Sequence, residues 1–74
     1  MRAETNEYLV SFGRNLRAIR TMKGLSLEQL ASRADIDIVT LIRVEEGTVD
    51  IDILTLADIA DGLGMEPKDL IPKS

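Results

Sequence analysis

The chain has 74 residues, a formal net charge of −4, and neither cysteine nor histidine. This length supports one small core, and the missing cysteines exclude disulfides and thiolate metal sites. Since the commonest general base and the best nucleophile are also missing and no calcium-loop spacing occurs, we expect no enzyme, no catalytic residue, no metal site and no cofactor.

The first predicted element is a long helix from about Asn6 to Met22, which Gly24 ends. Gly13 lies inside this helix, where glycine costs ~1 kcal/mol relative to alanine. We therefore expect this glycine to mark a close contact with another helix. The predicted apolar face, at helical spacing, consists of Leu9, Phe12, Leu16 and Ile19.

A second, shorter helix is predicted over residues 27–34. Ser26 and Gln29 have the spacing of a capping box, and Leu25 with Leu30 forms the accompanying hydrophobic staple. The helical stripe that follows consists of Leu27, Leu30, Ala31 and Ala34.

A third helix is predicted over residues 38–45, with Asp37 as its N-cap. Leu41 and Val44 form its apolar stripe, and Gly47 suits a left-handed stop. Only two residues separate helix 2 from this start, so the two helices must cross steeply. Steeply crossed short helices are typical of a helix-turn-helix unit, which presents its second helix to a DNA groove.

A fourth helix begins at Asp52, whose side chain can cap it, and ends at Gly64. Pro67 suits the first turn of a last short helix through Ile71, and Pro72 blocks its continuation. The core stripe of the fourth helix consists of Leu56, Ile59, Ala60 and Leu63.

The stretch from Phe12 to Leu70 resembles the phage-repressor-like (Cro/Xre) helix-turn-helix family of transcriptional regulators. The matching pieces are FGRNLRAIR, KGLSLEQLA, IRVEEG and LTLADIADGLGMEPKDLI. The resemblance implies an all-α, five-helix, lambda-repressor-like domain over residues 12–71, with a helix-turn-helix unit at about 27–46. Residues 1–11 are then an N-terminal extension of helix 1.

The resemblance also implies a function: sequence-specific regulation of transcription by a dimer that places helix 3 in the major groove of a palindromic operator. Arg43 matches a base-contacting position and can pair bidentately with guanine. Arg17 belongs to a basic side of helix 1, with Arg14, Lys23 and Arg2, near the DNA backbone. The expected DNA contacts are Ser26, Leu27, Asp37, Ile38, Val39, Thr40, Ile42, Arg43, Thr48 and Arg17.

Arg20 and Glu45 match a family pair that joins helix 1 to the end of the recognition helix. We interpret this pair as structural, since it fixes helix 3 against helix 1. Removing only one partner of a buried pair costs ~3–5 kcal/mol.

The charge distribution opposes DNA binding. Residues 1–24 carry a balance of +3, residues 25–52 of −5, and residues 53–74 of −2. The segment expected to face DNA is thus the most acidic, although cationic side chains supply most non-specific affinity for phosphates. Ile38, Val39 and Ile42 suit three roles: contact with thymine methyl groups, a surface for a protein partner, or extension of the core.

Two further expectations concern partners. A homodimer is expected, because Ile51, Ile53, Leu54, Met65 and Ile71 add apolar surface beyond the core stripe. The alternative function is a helix-turn-helix domain adapted to protein binding, as an antirepressor or partner subunit. No apolar run is long enough to span a membrane, and the start of the chain shows no signal peptide, so a cytoplasmic location is expected.

Overall fold

The computed structural model describes residues 6–72, which contain four α-helices, one 3₁₀ helix and no strand. The helices are α1 (Glu7–Met22), α2 (Leu27–Ala34), α3 (Ile38–Glu46) and α4 (Ile53–Leu63), and the 3₁₀ helix spans Pro67–Leu70. The all-α fold is confirmed, and α2 and α3 lie within residues 27–46. Arg2 and the first five residues of the expected N-terminal extension lie outside the described residues.

The expected fifth α-helix is a 3₁₀ helix instead. Pro67 stands at its first position, and Ile71 is extended with ψ 122°. The residue before a proline avoids the α-helical region, so Pro72 leaves only four residues for this element. Runs of that length are typical of 3₁₀ helices. Asn15 Nδ2 of α1 donates to the Leu70 carbonyl at 2.8 Å and holds this element on the domain.

The core lies where α2 packs against α4 and α1 packs across α3. The predicted stripes of all four helices contribute to it. Gly62 lets α4 approach α2 closely, because a Cβ atom at this glycine would lie 3.0 Å from the backbone nitrogen of Ala34. The largest fully buried side chains are Leu16, Leu30, Leu41, Ile59, Leu70 and Val44. No helix within residues 6–72 is long and apolar enough to cross a membrane.

The helix starts agree with two of the three predicted caps. Ser26 and Gln29 form the reciprocal capping box of α2, at 3.0 and 2.8 Å, and Asp52 accepts from the Thr55 amide at 2.8 Å. This hydrogen bond lowers the pKa of Asp52. Asp37 occupies the N-cap position of α3, but its side chain makes no capping hydrogen bond and remains exposed.

Each α-helix ends with the same pair of backbone hydrogen bonds around a left-handed residue, the Schellman arrangement. The predicted stops Gly24, Gly47 and Gly64 have φ of 72° to 75°. Asp35, in the turn between α2 and α3, is the non-glycine residue in this role, with φ 56°. The turn is closed by the Ile36 amide, which donates to the Ala31 carbonyl at 3.0 Å.

Candidate nucleic-acid interface

The position of α3 is set by two glycines. A Cβ atom at Gly13 of α1 would overlap the carbonyl oxygens of Val44 and Glu45, so α1 lies directly on the backbone of α3. At the end of α3, a Cβ atom at Gly47 would lie 2.7 Å from the Cα atom of Val10. The close contact predicted from Gly13 is therefore present, and it is made with α3.

A buried ion pair joins the same two helices. Arg20 Nε donates to Glu45 Oε2 at 2.6 Å, and Arg20 Nη2 donates to Glu45 Oε1 at 3.0 Å. Arg20 Nη1 also donates to the Leu25 carbonyl at 2.9 Å, ahead of α2. The hydrogen bond with Glu45 raises the pKa of Arg20, so the guanidinium remains charged. One buried arginine thus connects α1, the start of α2 and α3.

Arg17 approaches the same carboxylate from the solvent side. Its Nε lies 3.4 Å from Glu45 Oε1, and its side chain is 59% exposed whereas that of Glu45 is 2% exposed. Because Glu45 is already held by Arg20 at shorter distances, the contact with Arg17 is weak. Arg17 is therefore available to a ligand at the surface, as are the exposed Arg14 and Lys23.

The outward face of α3 consists of Val39, Arg43 and Glu46, all exposed. Their spacing of four and three residues places them along one side of a helix. Leu41, Val44 and Glu45 are buried on the opposite side. Thr40 and Ile42 are half-buried between the two sides.

The four expected apolar contacts differ in exposure. Ile38 is partly buried against the core, and so is Leu27 at the start of α2. Ile42 is half-buried, whereas Val39 is 46% exposed. The core-extending role considered for these residues therefore describes Ile38 best, and Val39 presents the most accessible apolar surface of α3.

The turn after α3 holds Thr48 beside Arg43. The Thr48 amide donates to the Arg43 carbonyl at 3.1 Å, and Thr48 Oγ1 lies 3.3 Å from the same oxygen. This backbone arrangement depends on the left-handed Gly47. Arg43 thus projects from a helical turn whose end is fixed, while its own side chain is exposed.

At the start of α2, Ser26 is exposed and its Oγ already accepts from the Gln29 amide. The hydroxyl proton remains available for a phosphate oxygen. The exposed Asp37 carboxylate, by contrast, would repel phosphates near the start of α3. The structure therefore places Ser26, Arg17, Arg43 and Thr48 at accessible positions, and Leu27 and Ile38 partly in the core.

Glu46 is a surface residue whose position on the outward face had not been assigned from sequence. Its spacing of seven residues from Val39 was the available signal. Within residues 6–72, neither Arg43 nor Glu46 takes part in a salt bridge, so the outward face carries one cation and one carboxylate. The described part of the chain also brings together no three acidic side chains that could hold a metal ion.

An apolar groove of about 180 Å³ lies beside these elements, between the first turns of α1 and the start of α4. Ile53 and Leu54, at the start of α4, are 78% and 73% exposed. Each molecule thus carries an apolar recess and an adjacent apolar projection. The groove is lined by Tyr8, Leu9, Phe12, Val44, Val49, Ile51, Leu56, Ile71 and Pro72.

A family model, a curated relative and solved structures all match most of this chain. A family model described as helix-turn-helix matches residues 16–70. Control protein C.BamHI of Bacillus amyloliquefaciens is 34% identical over 68 residues, which cover 90% of this chain and 84% of that protein. The crystal structure of the restriction-modification controller protein C.AhdI from Aeromonas hydrophila has a TM-score of 0.87 and 36% identity, covering 89% and 100% of the two chains. The BldD DNA-binding domain of S. venezulae has a TM-score of 0.79 and 33% identity, covering 90% and 100%.

Proposed function

This chain belongs to the Cro/Xre-type helix-turn-helix family and is a DNA-binding transcriptional regulator, and we propose that it contacts operator bases through Arg43 on α3. The observation that carries this proposal is the exposure of Arg43 at the centre of the outward face. A guanidinium can pair bidentately with guanine in the major groove. The fixed inner side of α3 would set the position from which the Arg43 side chain leaves the helix.

We infer that phosphate contacts come from outside α3, since its outward face is nearly neutral. Arg14, Arg17 and Lys23 supply exposed cations along α1. The N-terminus of α2, at Ser26, supplies backbone amides and a partial positive charge. These groups support DNA binding despite the acidic sequence, and they favour it over the protein-binding alternative.

Arg43→Ala tests the base contact. We expect specific affinity to fall by ~1–3 kcal/mol and discrimination to relax at one base pair per half-site. Arg33→Ala, which removes an exposed cation from the last turn of α2, is the matched control and should keep the sequence preference. A wild-type protein that enriches no sequence at low salt would contradict the proposal.

The protein is further proposed to act as a homodimer on a two-fold symmetric site. In a two-fold contact, each copy offers the same surface to the other. Leu54 of one copy can then enter the apolar groove of its partner while the partner's Leu54 enters the first copy's groove. This pairing would cover the largest exposed aliphatic side chains of α4 and place two recognition helices about 34 Å apart.

Light scattering at tens of micromolar tests this assembly. Wild type should have the mass of a dimer, and Leu54→Asp should have the mass of a monomer with much weaker DNA binding. Met22→Asp is the control, because Met22 is 80% exposed but does not line the groove. A monomeric wild type would refute the dimer.

A role in controlling a restriction-modification system is proposed from the similarity to C.BamHI and C.AhdI. Both are more than 30% identical over about nine tenths of this chain. Selection of fragments from the source genome by the purified protein would test it. Enriched fragments should lie beside genes for a DNA methyltransferase and an endonuclease. Enrichment only at other genes would refute this role and indicate that the protein regulates those genes instead.

A further inference from the structure

Val39 is the exposed aliphatic side chain on the outward face of α3, one helical turn before Arg43. It has no polar group, so it can neither donate to nor accept from a base edge. Seated on a polar base edge, it would leave that edge without hydrogen bonds, which is costly. The one apolar group that base pairs present in the major groove is the thymine C5-methyl.

We propose that Val39 contacts the C5-methyl group of a thymine close to the guanine bound by Arg43. The inference rests on the proposed function, since it requires α3 to lie in the major groove. Because cytosine methylated at C5 carries its methyl group at the same place, the protein should then accept 5-methylcytosine as it accepts thymine. Binding would depend on a methyl group and not only on base-pair identity.

The geometry of α3 limits where this thymine lies. Four residues of helix rise about 6 Å, and successive base pairs are about 3.4 Å apart along the duplex. Val39 and Arg43 therefore span one to two base-pair steps. Ile38 packs against the core and Ile42 is half-buried, so neither presents as much apolar surface as Val39 on this side of the helix.

The test begins with the site enriched by the wild-type protein. In that site each thymine is replaced in turn by deoxyuridine, which removes only the methyl group. At one thymine per half-site, this replacement should lower the affinity of the protein for the site about fourfold, as expected for one methyl-sized group returned to water. That thymine should lie one or two base pairs from the Arg43-dependent guanine. Deoxyuridine in flanking sequence is the matched DNA control and should have no effect.

The protein arm uses Val39→Ala, an exposed helical position where alanine favours the helix. This variant should bind the thymine and deoxyuridine sites equally and keep its dependence on the Arg43 guanine. In the third arm, cytosine replaces the same thymine and its partner becomes guanine. Methylation of that cytosine at C5 should recover about fourfold in wild-type affinity.

Two results would overturn the assignment while leaving the proposed function intact. One is an Arg43-dependent site in which every thymine tolerates deoxyuridine or in which no thymine lies near the guanine. The other is a deoxyuridine effect that persists in Val39→Ala. A wild type that enriches no site, or a site bound equally well by Arg43→Ala, would refute the proposed function itself and with it this inference.

Discussion

The two sides of α3 differ in almost every physical respect. On the inner side, Glu45 is buried, held by Arg20 through two hydrogen bonds and pressed against α1 at Gly13. On the outer side, Val39 and Arg43 are exposed. The inner side therefore governs where the helix lies, and the outer side governs what it contacts. A substitution should affect folding or recognition according to its side.

The strongest test of this division is Glu45→Ala. It leaves the buried Arg20 guanidinium with the Leu25 carbonyl and without its carboxylate. We expect the free energy of unfolding to fall by ~3–5 kcal/mol, as measured by chemical denaturation. Glu46→Ala, one residue along on the exposed side, is the control and should change it by less than ~0.5 kcal/mol.

The double variant Arg20→Met/Glu45→Leu separates a lost charge pair from a lost contact. Replacing a buried ion pair with apolar residues of similar volume is often neutral or stabilising. The double variant should therefore be more stable than Glu45→Ala alone. Equal instability of the two would mean that the ion pair itself is indispensable to the packing of α3.

A smaller effect is expected from Gly13→Ala. Alanine favours a helix by ~1 kcal/mol over glycine, but here its Cβ would overlap α3 carbonyl oxygens that belong to the backbone. The helices must move apart, and we expect a net loss of ~1–3 kcal/mol in thermal unfolding, with weaker DNA binding because α3 shifts.

Gly24→Ala is the control for this glycine. A Cβ atom at position 24 would meet no atom within 4 Å, but φ there is +74°. The free energy of unfolding of Gly24→Ala should therefore fall by ~1–2 kcal/mol from backbone strain alone. DNA binding by the folded fraction should stay unchanged. A loss of DNA binding in Gly24→Ala would contradict the link between the Gly13 contact and the position of α3.

The smallest effect on stability is expected at Arg17, a residue of α1 that reaches Glu45 of α3 from the solvent. Its contact with Glu45 is long and largely exposed, and exposed ion pairs contribute ~0–1 kcal/mol. Arg17→Ala should thus unfold almost like wild type. If Arg17 contacts a phosphate, the variant should bind all sequences more weakly and show a flatter salt dependence. Unchanged salt dependence would place Arg17 away from the DNA.

Local signals in the sequence accounted for most of the fold. The capping box at Ser26 and the glycine stops predicted helix bounds to within a residue or two, because these signals act through neighbouring backbone groups. Gly13, inside a predicted helix, indicated a close helix contact but did not identify the partner helix. The last short helix lies where Pro67 predicted it, but it is a 3₁₀ helix that ends at Leu70, because Pro72 keeps Ile71 extended.

The candidate site was less predictable, since it depends on which residues share a surface. Sequence alone left Ile38, Val39 and Ile42 equivalent, and only the packing of α3 separates the exposed Val39 from the partly buried Ile38. Asp37 was a plausible cap by type, yet its side chain is not used as one. The contact between Arg17 and Glu45 joins residues 28 positions apart, so no local sequence pattern predicts it.

The hydrogen bond from Asn15 to the Leu70 carbonyl has a kinetic consequence. It joins residues 55 positions apart, whereas helices form from neighbouring residues in about a microsecond. Contacts that close a long loop tend to form late, so this bond should be absent from the folding transition state. Asn15→Ala would then leave the folding rate unchanged and raise the unfolding rate, so the bond would prolong the lifetime of the folded domain without affecting how quickly it forms.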